Sequence, residues 1–96
     1  MEYQIRLTPE ALADLEAIQD YIRADNAAAA ERFGASLLRH VEMLWDFPRL
    51  GVPLRRRRSY RKLLHSPIRI YYRIHETAKM IEMLHFWHSA RRGPKL

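Results

Sequence analysis

Two β-prone runs separated by a short polar break constrain this chain more than any other part of it. In Ile68 to His75, Ile68, Ile70, Tyr72 and Ile74 alternate with Arg69, Tyr71, Arg73 and His75, so a strand here has one apolar and one cationic face. Glu76-Thr77-Ala78-Lys79 then leads into a second run, Met80 to Trp87. That arrangement predicts a hairpin. A two- or four-residue loop sets Glu76 opposite Lys79 and Arg73 opposite Glu82, opposite-charge pairs that favour the register by about 0.2–1 kcal/mol each. In that register His85 shares the apolar face with Ile70, Met83 and Trp87. His88, Leu84 and Phe86 fall on the face of Arg69 and Arg73. A one-residue bulge in the last strand exchanges His85 for His88.

An apolar sheet face needs a cover, and the first half of the chain supplies it. Tyr3 to Leu7 reads as a short strand. Thr8 is a good N-cap, Pro9 suits the first helical position, and Glu10 complements the helix dipole. Ala11, Leu15, Ile18 and Ile22 then recur at helical spacing, with Leu12 widening the stripe. Asp25-Asn26 supplies the next cap, and from Ala27 a second helix carries Ala30, Phe33, Leu37, Val41 and Leu44 until Pro48 stops it. So short a connection makes the helices antiparallel neighbours. Pro48 to Pro53 reads as a loop in which Gly51 is free to take positive φ. A strand over Tyr60 to Ser66 completes the order βααβββ. The expectation is one α+β domain over residues 1–96: an antiparallel sheet from 3–7 and 60–88, a helical hairpin over about 8–47 on one face, and a basic tail over 89–96.

Charge is distributed unevenly. Residues 1–48 hold 4 basic and 9 acidic side chains, a net of −5, whereas residues 49–96 hold 13 basic and 2 acidic, a net of +11. A half this cationic points to a polyanionic partner, either nucleic acid or an acidic protein segment. The chain contains no cysteine, which excludes disulfides and thiolate metal sites. It has neither a signal-peptide pattern nor an apolar run near the ~20 residues that span a bilayer. A cytoplasmic protein without membrane partners is expected.

No glycine-rich phosphate loop, Gly-x-Ser-x-Gly elbow or His-Glu-x-x-His motif is present. His85 and His88 fall on opposite faces of a strand, so no metal site and no cofactor are expected. The cationic face fits two uses. Arginines there can hold a scissile phosphate while a histidine moves a proton, which is metal-free RNA cleavage. Alternatively, an apolar strip of Leu84 and Phe86 rimmed by arginine can seat a partner's peptide.

Several local phrases, in order along nearly the whole chain, resemble the RelE/ParE superfamily of toxins from type II toxin–antitoxin systems, and its ParE branch more closely. They are Thr8-Pro9-Glu10-Ala11, Asp14-Leu15 and Tyr21-Ile22; Phe33, Leu44, Phe47-Pro48 and Gly51; Tyr60-Arg61 and Leu63; Ile70-Tyr71-Tyr72-Arg73-Ile74; and His88 with Arg91-Arg92. The resemblance implies a toxin held inactive in a hetero-oligomer by a cognate antitoxin, whose extended or helical segment wraps it. It also implies a target. ParE-like members poison DNA gyrase, and RelE-like members cut mRNA on the ribosome. On the second alternative the resemblance places Arg61, Lys62, Arg69, His88 and Arg91 at the catalytic positions, although the chain ends Gly93-Pro94-Lys95-Leu96 without the terminal tyrosine of RelE. Contacts to target or antitoxin are expected from Arg55, Arg56, Arg57, Arg58, Arg69, Tyr71, Arg73, Leu84, Phe86 and Arg92. The loop and helical hairpin resemble ParE, so gyrase is the expected target.

Overall fold

In the computed structural model, which describes residues 2–96, the order is β1 (Gln4–Leu7), α1 (Pro9–Arg23), α2 (Ala27–Glu42), a 3-10 turn at Met43–Trp45, β2 (Val52–Pro53), β3 (Tyr60–His65), β4 (Ile68–His75) and β5 (Met80–His88). The fold is α+β, with one five-stranded sheet in the order β1-β5-β4-β3-β2. Both helices begin on the caps expected of them. Thr8 Oγ1 accepts the Ala11 amide at 3.0 Å, and Asn26 Oδ1 accepts the Ala29 amide at 2.9 Å.

The sheet departs from the expected one at both edges, by a parallel strand at one and an added antiparallel strand at the other. β1 runs parallel to β5, Gln4 facing Met80 and Leu7 facing Met83. A parallel neighbour needs a long connection, and everything from α1 to β4 lies between the two strands. Four residues of alternation carry no information about which strand they will join. At the other edge, the supposed loop contributes the two-residue β2, paired with Arg61 and Lys62. Its proline confines it to an edge, because proline has no N–H for a second ladder.

α1 and α2 cover the isoleucine face. Ala11 and Leu15 of α1, with Leu37, Val41 and Leu44 from α2 and the turn after it, pack on Ile68, Ile70, Tyr72, Ile74, Ile81, Met83 and Phe86. Leu12 does not join them and stays exposed. α2 ends at Glu42 rather than at Pro48, the 3-10 turn taking over from it. At the seam of α2 and β3, His65 is held by Ser36 Oγ at 3.3 Å from Nε2 and by His40, Nδ1 to Nδ1, at 2.8 Å.

Tyr72 spans the core to anchor the loop before β2. Its hydroxyl donates to the Pro48 carbonyl and accepts the Gly51 amide, each at 2.8 Å. Gly51 has no positive φ. Its lack of a side chain serves close approach instead, since a Cβ there would lie 2.7 Å from the Lys62 carbonyl oxygen and 2.9 Å from the Tyr72 ring.

The hairpin register is the expected one up to Tyr72, with Arg73 opposite Glu82 and His75 opposite Met80. Those facing charges do not pair with each other. Glu82 bonds His75 at 3.0 Å, while Glu76 bonds Tyr3 and Arg49. Between Tyr71 and Tyr72 the register shifts, because Tyr72 faces Met83, Tyr71 faces His85, and Leu84 is the extra residue. From that bulge onward β5 is turned over. Phe86, expected on the cationic face, faces Ile70 in the core and is 2% exposed. His85 and Trp87 move to the uncovered face, and His88 to the helix side opposite Ile68. Composition gives no sign of this, but the end of β1 and Asp14 within α1 do. β1 stops at Leu7, the Thr8 hydroxyl bonds the Met83 carbonyl at 2.8 Å, and Asp14 on α1 accepts the Phe86 amide at 3.2 Å in place of a neighbouring strand.

Candidate partner-binding face

The uncovered face is built from three cross-strand rows. Tyr60, Arg73 and Glu82 form the first, Lys62, Tyr71 and His85 the second, and Leu64, Arg69 and Trp87 the third. Aromatic and cationic side chains alternate across it. In the first row the Arg73 and Arg57 guanidinium carbons lie 5.3 and 5.2 Å from the centre of the Tyr60 ring, a cation–π arrangement. Arg73 Nε is buried without a hydrogen-bond partner among the described residues.

In the second row His85 Nδ1 lies 2.8 Å from Asp14 Oδ2, both side chains being about one-fifth exposed. A carboxylate only accepts, so its partner nitrogen Nδ1 donates to it. The same Asp14 oxygen accepts the Phe86 amide, so one carboxylate fixes both the bulge and the imidazole. In the third row the Trp87 ring meets His85 edge-on at 5.1 Å.

The basic tail lies over this face. Arg91 stacks on Trp87 with its guanidinium carbon 3.8 Å from the ring centre, and the Trp87 indole N–H donates to the Arg92 carbonyl at 2.6 Å. A Cβ on Gly93 would sit 3.7 Å from the Tyr71 hydroxyl, and Lys95 and Leu96 line a shallow pocket together with Thr8, Glu10, Tyr60, Leu84 and His85. Tyr71, in the middle of the supposedly open face, is consequently only 5% exposed.

The expected site residues are therefore only partly brought together. Lys62, Arg69, Arg73, Leu84 and the tail's Arg91 and Arg92 gather on or over the uncovered face, and Tyr71 lies there beneath the tail. Arg55, Arg56, Arg57 and Arg58 are exposed on the loop between β2 and β3. Three residues fall elsewhere. Arg61 alternates with Lys62 to the covered side, where its guanidinium donates to the Arg49 and Gly51 carbonyls at 3.3 and 2.6 Å. Phe86 is core. His88 stands on the helix side, at the mouth of a groove of about 560 Å³ that Ile18, Tyr21, Phe33, Ile68 and Arg91 help to line. Asp14, Tyr60, His85 and Trp87 belong to the face although none was among the expected contacts. The possible bulge was the one sequence signal for His85.

A family model described as the ParE toxin of the type II toxin–antitoxin system parDE matches residues 5–93. The chain belongs to the ParE toxin family. It is thus the toxin component of a type II toxin–antitoxin system. Among solved structures, a chain of the chromosomal ParDE system of P. aeruginosa shares the fold with a TM-score of 0.75 at 24% identity, over 91% of this chain and 96% of that one. A chain of the toxin–antitoxin complex RelBE2 of Mycobacterium tuberculosis is similar with a TM-score of 0.58 at 26% identity, over 92% and 99%. No curated protein sequence matches significantly. Both of these structures come from toxin–antitoxin systems. None of the described helices is long and apolar enough to cross a membrane.

Proposed function

We propose that this ParE-family toxin acts in the cytoplasm, arresting growth by poisoning DNA gyrase, and that a cognate antitoxin neutralises it by covering its surface. The observation that carries the reading is the match to the ParE family over residues 5–93, of a chain whose uncovered sheet face collects Lys62, Arg69 and Arg73 beneath a tail holding Arg91, Arg92 and Lys95. A face of this sign attracts acidic partners from a distance and speeds their docking. The apolar groove beside α1 suits a partner's amphipathic helix, which would lay one greasy stripe against Ile18, Tyr21 and Phe33.

Ribosome-dependent RNA cleavage is the weaker reading. The five residues assigned to it do not converge, since Arg61 and His88 lie on the helix side of the sheet and Lys62 and Arg69 on the other. Expression of the protein alone from an inducible promoter tests the toxin assignment. Growth should stop, and co-expression of the small protein encoded beside it should restore growth. Undisturbed growth with folded protein accumulating overturns the reading.

A further inference from the structure

The β3 edge of the sheet is only half closed. β2 pairs with Arg61 and Lys62 and goes no further, so Leu63, Leu64 and His65 have a strand, β4, on one side only. Backbone groups of alternate residues point to opposite sides of a strand. The Tyr60 carbonyl accepts the Leu54 amide at 2.8 Å, and the Lys62 carbonyl abuts Gly51, so the even-numbered residues present their backbone outward and Leu64 is next in that series.

The edge is also apolar. Leu64 is 61% exposed and Val52 56%. With Leu50, Gly51 and Leu63 they line a shallow groove of about 300 Å³, to which Lys62 and Arg69 add the charge. An edge with free backbone groups and exposed aliphatic side chains is a template for another strand.

Three features of the groove select its occupant. Outward amides and carbonyls call for an extended polypeptide, which nucleic acid cannot match in register. Leu50, Val52 and Leu64 call for apolar side chains at alternate positions. Lys62 and Arg69 call for negative charge between them. A second copy of this chain meets the first two requirements but sets Lys62 and Arg69 against their own kind, in a half-chain of 13 basic and 2 acidic residues. We propose that the free edge of β3, from Lys62 to His65, takes an extended partner segment alternating apolar and acidic residues, which joins the sheet next to β2 as a further strand. The proposal rests on the toxin–antitoxin reading only for the identity of that partner.

The probe is a short capped peptide alternating valine and glutamate, followed by anisotropy and by amide shifts of the protein. Saturable binding should move the Leu64 amide and weaken by about tenfold when lysine replaces glutamate. Methylating the peptide's backbone nitrogens at one set of alternate residues should abolish binding, while methylating the other set should spare it. The exposed substitution Leu64→Glu should weaken binding at least as much as the lysine peptide does.

No binding up to about 1 mM, which corresponds to only ~4 kcal/mol, overturns the proposal. So does binding indifferent to N-methylation or to Leu64→Glu, or concentration-dependent self-association that protects Leu64. The toxin reading is separable from it in cells. A Leu64→Glu protein that arrests growth and is rescued as readily as wild type sinks the docking site alone, and a wild-type protein that arrests nothing sinks the toxin.

Discussion

Replacing Tyr72 with phenylalanine removes one oxygen from the centre of the molecule and tests whether the loop before β2 hangs on it. Tyr72 is fully buried, and the ring of Phe fills the same space, so apolar burial hardly changes. What changes is the partner of two backbone groups. The Gly51 N–H, in a buried bond, loses its acceptor, and an unpaired buried donor costs ~1–3 kcal/mol. The Pro48 carbonyl, in a partly buried bond, is more open to water, and its loss adds ~0.5–1 kcal/mol. Their sum is about 1.5–4 kcal/mol, which for a domain of this size lowers Tm by about 6–30 °C. Urea titration should show a lower midpoint with an unchanged m-value. Gly51→Ala should be similarly harmful, because its Cβ meets the Lys62 carbonyl and the Tyr72 ring. Tyr60→Phe is the control, since its exposed hydroxyl makes only a 3.4 Å contact with Arg57 and its loss should stay within about 0.5 kcal/mol. A Tyr72→Phe protein as stable as that control refutes the assignment of Tyr72 as the loop's anchor.

Burial, and then the neighbouring His40, lowers the pKa of His65 below its ordinary 6.5, so around and below that pH the unfolded chain binds more protons than the native one. That stability is fully present above the unfolded value and falls as pH drops through it. Urea midpoints should therefore decline between pH 7 and pH 5 less steeply in His65→Gln than in wild type. Asp14→Ala should cost about 2 kcal/mol in urea titration, because it strips a charged acceptor from both His85 and the Phe86 amide. Removing residues 91–96 should expose the Tyr71 phenol to nitration, read by peptide mass, with the already exposed Tyr21 as internal reference.

The parts of the fold that follow from local chemistry are visible in the residues themselves. Thr8 and Asn26 announce their helices, the isoleucines of β4 declare the covered face, and Glu76 to Lys79 define the turn. What escapes is set by partners distant in sequence. The overturning of β5 follows from the ending of β1 at Leu7 and from Asp14 satisfying the Phe86 amide, and nothing in Met80 to His88 encodes either. A hydrophobic stripe also leaves Phe86 and Trp87 interchangeable until the bulge decides between them. Arg61 looks like a partner for Lys62 in the sequence, yet the two-residue period sends it to hold the Arg49 and Gly51 carbonyls. The tail reads as unstructured, and it forms no helix or strand. Its place over Tyr71 depends on Trp87 having turned toward it.

Gyrase supercoiling in the presence of purified protein tests the central claim most directly. Wild-type protein should block supercoiling, and charge reversal of the face by Arg69→Glu with Lys62→Glu should relieve the block while the fold persists by circular dichroism. Full supercoiling at protein concentrations that arrest growth in cells would contradict the account.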